Sequence, residues 1–235
     1  MSNLPQLLIL AGGMATRLEP ISNKLPKSLI EINGKPFICH QLEQAKKRGI
    51  KEVILCIGNM GNLIYEKIKY GEKYGLNVKY SDEGKKLLGT GGAIFNAKNI
   101  LRDPFFVLYG DSWINAEYVK MYQKFKKSNY PALISVYKNN NEWDKSNITI
   151  KDQIVTKYNK TKKFSEHNYI DYGLSLITKE IFANFRKVLK FDLGDVYNQL
   201  SKQKQLEAFE VYDRFYEIGS FQGIIDTKKN LQKYL

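Results

Sequence analysis

The chain has 235 residues, 43% of them hydrophobic, and 37 Lys and Arg against 24 Asp and Glu give a formal net charge of +13. That length suits one α/β domain with a full core, or two small ones. With no Pro/Gly/Ser-rich linker, repeat or low-complexity tract, one domain over residues 1–235 is expected. No apolar run approaches the roughly 18–20 residues that span a bilayer. The opening MSNLPQ has neither a basic n-region nor a cleavage site. A cytoplasmic location with no membrane partner is therefore expected. Cys39 and Cys56 lack metal-ligand spacing and read as reduced core or flank residues. The two histidines, His40 and His167, exclude a His-rich metal site, and His167 reads as a surface residue within reach of a substrate. The positive charge suits nucleic acid. The lysines are scattered as pairs, however, which suits a solvated surface or steering of small anions equally well. No nucleic-acid partner is expected.

Apolar strands alternate with amphipathic stretches throughout, which predicts a mostly parallel sheet with helices on both faces. Leu7–Leu10 is the first strand, and Ile30–Gly34 is a short extended piece ending in an Asn-Gly turn. Pro36 opens a helix to about Arg48, with Gly49 past its end and Ile38, Leu42 and Ala45 as its buried stripe. Val53–Ile57 is an apolar central strand, Leu63–Tyr70 a helix and Val78–Ser81 a strand. Gly89–Gly92 begins a helix to about Lys98, and Phe105–Tyr109 is a strand ending at Gly110-Asp111. A helix over Ala116–Lys127 and a strand over Ala132–Tyr137 follow. Ile148–Ile150 and Ile154–Tyr158 read as a hairpin across Asp152-Gln153. Tyr172–Ile177 is a strand, Glu180–Phe185 and Asp195–Lys202 are helices, and Leu206–Val211 and Phe215–Ile218 are extended. Ser220 caps a last helix, with Phe221, Ile224, Ile225 and Leu231 on its buried face.

The densest chemical signal runs from Leu8 to Leu29, LILAGGMATRLEPISNKLPKSL. An apolar strand enters a loop of small residues, and Arg17, Lys24 and Lys27 follow. Exposed backbone amides beside fixed cations suit a polyphosphate. Glycine lets the main chain approach closely, Arg offers a planar fork of donors and Lys a point charge. A glycine pair after a strand is also an ordinary turn, and neither GxxxxGK(S/T) nor GxGxxG is present. Asp111 at a strand end reads either as a helix cap or as a Mg²⁺ ligand. Gly89-Thr90-Gly91-Gly92 is a glycine-rich helix entry, and Glu217 a strand-end charge. Open parallel sheets bind ligands beyond the carboxyl ends of their strands, so these segments can converge on one edge.

The longer pattern, AGGxxTR followed by PKSL, resembles the sugar-1-phosphate nucleotidyltransferases, whose signature is an LAGGxGTR-like loop and a PK(P/S)L segment. Met14-Ala15 stands where the family often has x-Gly. The resemblance implies a Rossmann-like three-layer α/β/α fold of the nucleotide-diphospho-sugar transferase (GT-A-like) type. Its NTP-binding part would run to about residue 135, with the remainder binding acceptor. It implies catalytic roles for Arg17 and Lys27. It also implies nucleotide contacts from Leu10, Ala11, Gly12, Gly13, Met14, Ala15, Thr16, Gly89, Thr90, Gly91 and Gly110. The metal would be Mg²⁺, with Mn²⁺ able to substitute, on Asp111 of a YGD segment and on Glu217, where relatives carry Asp. The acceptor side departs from the family pattern. Asn159 replaces a Glu before Lys160, Ser146-Asn147 stand where Tyr-Gly is usual, and Asp171 replaces Asn before Gly173. Lys160, Asp171 and Gly173 are the acceptor candidates. These departures resemble cytidylyltransferases that join CTP to phosphoglutamine for capsule decoration. Heptose- or N-acetylmuramate-1-phosphate and phosphocholine enzymes are the alternatives. A nucleic-acid-binding protein and a GT-A glycosyltransferase are the readings from other classes, although only one Asp of the glycosyltransferase D-x-D pair is present.

Overall fold

The computed structural model describes residues 3–14, 18, 25–115, 117–160, 166–185 and 188–234. Strand β1 (Leu7–Leu10) leads to a short hairpin, β2 (Glu31–Ile32) and β3 (Lys35–Pro36), and then to α1 (Phe37–Lys47). There follow β4 (Glu52–Ile57), α2 (Gly61–Ile68), β5 (Asn77–Asp82), α3 (Gly89–Asn96), β6 (Phe105–Tyr109) and β7 (Ser112–Trp113). The second half holds α4 (Tyr118–Phe125), β8 (Ala132–Lys138), β9 (Ile148–Lys151), β10 (Ile154–Tyr158) and β11 (Tyr169–Ile177). It closes with α5 (Leu193–Lys202), β12 (Leu206–Val211), β13 (Tyr216–Glu217) and α6 (Phe221–Leu231).

One nine-stranded sheet has the order β5-β4-β1-β6-β11-β8-β12-β10-β9. β5, β4, β1 and β6 pair in parallel. β11 runs against both β6 and β8, β12 runs parallel to β8, and β10 runs against β12 and β9. All the strands but β11 and β10 thus point one way, although four strand pairs are parallel and five antiparallel, β11 also pairing with β9. Helices cover both faces, which is why β1 and β4 are apolar without alternation. Alternate side chains of β1 enter two cores. Leu7 and Ile9 pack with Ile38 and Leu42 of α1, and Leu8 packs with Ile94 of α3 and Val196 of α5. Both hairpin turns put two successive residues at positive φ, Asn33-Gly34 and Asp152-Gln153, as tight two-residue loops require. No described helix is long and apolar enough to cross a membrane.

Three expectations change. Residues Lys179–Phe185 form 3₁₀ turns rather than an α-helix. His167 is buried, not on the surface, and its Nδ1 lies 2.9 Å from Thr149 Oγ1. On α6, Ile224 and Leu231 are buried but Phe221 and Ile225 are 54% and 46% exposed. Thr227 takes the inward position instead, donating its hydroxyl to the Glu217 carbonyl at 3.0 Å. That bond fixes the roll of the helix against β13, which apolar periodicity does not encode.

Ser220 Oγ accepts from Gly223 N–H at 2.9 Å and so caps α6. Ser220→Ala should lower stability by about 1 kcal/mol, seen as a lower urea midpoint at unchanged m.

Candidate active site

The glycine loop leaves β1 at Leu10. Ala11 N–H donates to the Cys56 carbonyl (2.9 Å), which carries the chain across the ends of β1 and β4. Gly12 packs so tightly that an added Cβ would lie 3.2 Å from Gly58 N and 3.1 Å from Glu83 Oε1. The PKSL segment lies along this loop. Lys27 N–H donates to the Gly13 carbonyl (3.2 Å), Ser28 Oγ to the Ala11 carbonyl (3.4 Å), and Met14 forms a β-bridge with Pro26. Ala15, Thr16, Arg17 and Lys24 lie outside the described residues.

Lys27 reaches from this segment to Asp111, with Nζ 3.0 Å from Oδ2. Asp111 sits in the turn between β6 and β7. Gln41 of α1 holds that turn by donating to the Tyr109 and Ser112 carbonyls at 3.1 and 2.9 Å. Gly110 permits the turn, since a Cβ there would overlap the Leu10 carbonyl. Glu217 arrives on β13, which pairs with β7 so that Glu217 faces Ser112, and Ile218 N–H donates to the Asp111 carbonyl (3.0 Å). The Glu217 carboxylate accepts from Gly219 N–H and from Ser220 Oγ (2.5 Å). A Cβ on Gly219 would stand 2.7 Å from Glu217 Oε2, 3.3 Å from Lys27 Nζ and 3.8 Å from Asp111 Oδ2. Three segments far apart in sequence therefore surround one small space. Among the described residues no group of three or more His, Cys, Asp or Glu is placed to hold a metal ion. Two carboxylates suit Mg²⁺, which completes its shell with phosphate oxygens and water. The Lys27 ammonium already shows that Asp111 presents an oxygen to a cation.

A cavity of about 220 Å³ opens beside this cluster. Leu10, Ala11, Gly12, Gly13, Lys27, Gly110 and Asp111 line it together with Glu83, Leu87, Gly89, Thr90 and Asp192. Glu83 Oε2 accepts from Leu88 N–H at 2.7 Å. Burial raises its carboxyl above the ordinary value, although the Leu88 bond opposes this. Gly91 and Gly92 turn their amides not to the cavity but to the Phe191 carbonyl, 3.1 Å each. Asp192 Oδ1 accepts from Thr90 N–H and Oγ1 at 3.2 and 3.3 Å, and Thr90 Oγ1 in turn accepts from Leu193 N–H at 2.8 Å. The start of α3 is thus fastened to the start of α5. Gly89 needs its positive φ of 77° there, and a Cβ would stand 2.5 Å from the Phe191 carbonyl.

The acceptor candidates lie together at the other side of Tyr109. Asp171 is a buried hub, its side chain 6% exposed. Its Oδ2 accepts from Tyr158 OH (2.8 Å) and its Oδ1 from Gly173 N–H (3.0 Å). Gly173, at φ 101°, passes against Ser112. Lys160 Nζ donates to Tyr109 OH (3.1 Å) and lies 4.0 Å from Asp171. Burial, reinforced by the Asp171 charge, raises the Tyr109 and Tyr158 phenols, so both stay neutral.

The nucleotidyl transferase family model matches residues 6–233. The chain belongs to that family. It is a nucleotidyltransferase, as the paired glycine-loop and PKSL motifs implied. This nucleotidyltransferase is 34% identical over 215 residues to D-glycero-alpha-D-manno-heptose 1-phosphate guanylyltransferase of Campylobacter jejuni, covering 91% of this chain and 94% of that protein. It is 31% identical over 219 residues to a mannose-1-phosphate guanyltransferase of Yarrowia lipolytica, covering 90% of this chain but 60% of that longer protein. The structure of HddC from Yersinia pseudotuberculosis complexed with GMP-PN shares its α/β fold. That likeness has a TM-score of 0.80 at 24% identity, over 97% of this chain and 100% of that one.

Motif reading missed Glu83, Asp192 and the Phe191 clamp. Their partners lie 5 to 103 residues away, and only Glu83, at the end of β5, carried a usable signal. Asp192→Ala removes the N-cap of α5 and releases Thr90. It should cost about 0.5–2 kcal/mol and speed proteolysis around residue 190, as followed by mass spectrometry.

Proposed function

We propose that this nucleotidyltransferase is a guanylyltransferase acting on a sugar 1-phosphate, with a heptose 1-phosphate as the favoured acceptor. The observation that carries the base assignment is the Glu83 carboxylate in the cavity wall, set against Gly12 and Leu88. Guanine presents two adjacent donors, N1–H and N2–H₂, on its Watson–Crick edge, and an ionised carboxylate accepts both. Cytosine sets its amino donor beside an acceptor nitrogen, and uracil flanks its single N–H with carbonyls, so each turns a lone pair toward the carboxylate. The heptose and mannose enzymes named above are guanylyltransferases, which supports the same reading over CTP and phosphoglutamine.

In the reaction, an acceptor phosphate oxygen attacks the α-phosphorus of GTP in line. The bond to the bridging oxygen breaks, and pyrophosphate leaves. Like charges about 4 Å apart cost about 1 kcal/mol per pair in water and about 4 kcal/mol at an effective dielectric of 20. A loop or helix dipole offsets only about 0.3–1 kcal/mol. Gly12 and Gly13 therefore position the triphosphate, while Lys27 and Arg17 neutralise it. Asp111 and Glu217 would hold Mg²⁺, which supplies charge compensation and polarises the phosphoryl oxygens. The Lys27–Asp111 pair is partly exposed, with side chains 20% and 36% accessible. Such pairs contribute about 0–1 kcal/mol, so Lys27 can leave Asp111 for a phosphate at little cost. Lys160 is the candidate for the acceptor phosphate, held by Tyr109. Asp171, being buried, acts through Tyr158 and Lys160 rather than on the sugar.

Pyrophosphate release should be fastest with GTP and a heptose or mannose 1-phosphate. Preferred turnover of CTP with phosphoglutamine would overturn this assignment. Lys27→Ala should lower kcat by about 10²–10³-fold with circular dichroism unchanged. Glu83→Gln should weaken GTP binding by about tenfold to a hundredfold, the loss of a charged hydrogen bond. Guanine binding needs ionised Glu83, whose raised pKa brings protonation at higher pH than in a free glutamate. GTP affinity should thus be flat at neutral pH and fall on acidification, with the fall absent in Glu83→Gln. Calorimetry across pH reads both.

A further inference from the structure

Arg214 lies three residues before Glu217 and does something the reaction scheme leaves unexplained. Its guanidinium carbon stands 3.6 Å from the ring centroid of Trp143 and 4.8 Å from that of Tyr216, and its Nη2 lies 2.7 Å from Asp226 Oδ2 of α6. Trp143 belongs to the loop between β8 and β9, and it is 43% exposed. That loop is built rather than loose. Asn139 is fully buried, its Nδ2 donates to the Asp144 carbonyl (2.6 Å) and Ser146 Oγ (3.1 Å), and its Oδ1 accepts from Trp143 N–H (3.2 Å). Ser146 N–H donates to Asn141 Oδ1 (2.9 Å), and Asn141 N–H to Ser146 Oγ (3.0 Å).

The loop ends at Asn147, which fixes the acceptor side. Its Oδ1 accepts from Asp171 N–H at 3.1 Å, and its carbonyl accepts from Asn159 N–H at 2.9 Å, next to Lys160. A continuous chain of contacts therefore runs from Glu217 through Tyr216, Arg214 and Trp143 to Asn147, and from there to Asp171 and Lys160. No part of it passes through the Gly12 loop or Glu83.

We propose that Arg214 is a positioning residue that ties the loop anchoring the acceptor-side residues to the strand carrying Glu217. The planar guanidinium suits this work because it stacks on aromatic faces while pairing with a carboxylate, which an ammonium does not match. It sets the separation between acceptor phosphate and metal carboxylate, so misplacement should fall on the acceptor and spare GTP. This rests on the roles proposed above for Glu217, Asp171 and Lys160.

The test compares Arg214→Ala, Arg214→Lys, Trp143→Ala, Trp143→Phe and Asp226→Asn in full-length protein. Arg214→Ala and Trp143→Ala should each raise KM for the sugar 1-phosphate about tenfold or more while KM for GTP stays within about twofold, a misplaced reactant being the cause. Their double variant should be no worse than either alone. Arg214→Lys should resemble Arg214→Ala. Trp143→Phe should restore the wild-type KM, and Asp226→Asn should change it little. Hydrogen exchange gives a readout that does not need turnover: the amides of Asn147, Asn159 and Asp171 should exchange faster in Arg214→Ala, and those of β1 should not. An unchanged acceptor KM with unchanged exchange would overturn the proposal, as would equal rises in both KM values. Wild-type protein inactive on every sugar 1-phosphate, but with the exchange pattern as expected, would instead count against the function above and leave the clamp standing.

Discussion

A partly exposed ion pair between Lys27 and Asp111 is the junction on which the site depends. It joins the segment after the glycine loop to the turn after β6, and β13 brings Glu217 to the same space. Each arm is held by its own hydrogen bonds: Lys27 N–H to the Gly13 carbonyl, the Gln41 side chain to the Asp111 turn, and Ile218 N–H to the Asp111 carbonyl. A buried pair would be costly to break. This one is cheap, because both side chains keep contact with water. Resting together, lysine and aspartate hold each other's charge. In the proposed reaction the two separate, the lysine toward phosphate and the aspartate toward the metal.

The sheet explains why the two substrates can meet there. Four parallel strands end at one edge and deliver the glycine loop, Glu83 and Asp111. β11 then runs against β6, placing Asp171 and Gly173 beside Ser112 and Tyr109. Tyr109 lines the cavity beside Asp111 and also receives Lys160. It is the wall shared by both halves, and its neutral phenol gives Lys160 a partner without neutralising it. The start of α3 also lines the cavity, and its Gly91 and Gly92 amides are occupied by Phe191. Those bonds fix the shape of the helix entry, so that Gly89 and Thr90 line the cavity while the Gly91 and Gly92 amides face Phe191.

Much of this was legible from local pattern. β1 and β6 coincide with apolar runs, β12 keeps the expected bounds Leu206–Val211, and the Asp152-Gln153 turn follows from alternation on either side. AGG and PKSL stood out as motifs and Asp111 by its strand-end placement, and the fold brings the three together. What local pattern misses is contact over long separations. His167 looks exposed in a polar stretch, yet packs on Thr149. Phe221 and Ile225 look buried by period, yet Thr227 takes the inward position to reach Glu217. Thr90 meets Asp192 across 102 residues, and Arg214 meets Trp143 across a shorter but still long span, with no motif to announce either. The proposed base assignment rests on the same kind of long-range placement. Glu83 at a strand end is an ordinary charge until the fold sets it against Gly12 and Leu88. The departures at Asn159 and Asp171 suggested an unusual acceptor, but Asp171 is buried under Tyr158 and reads chiefly as support.

The most direct test of the junction is anomalous diffraction from crystals grown with a non-hydrolysable GTP analogue and Mn²⁺. The metal should lie on the carboxylates of Asp111 and Glu217, with Lys27 Nζ moved from Asp111 to a phosphate oxygen. Manganese bound away from both carboxylates, or Lys27 still paired with Asp111 beside a bound triphosphate, would contradict it.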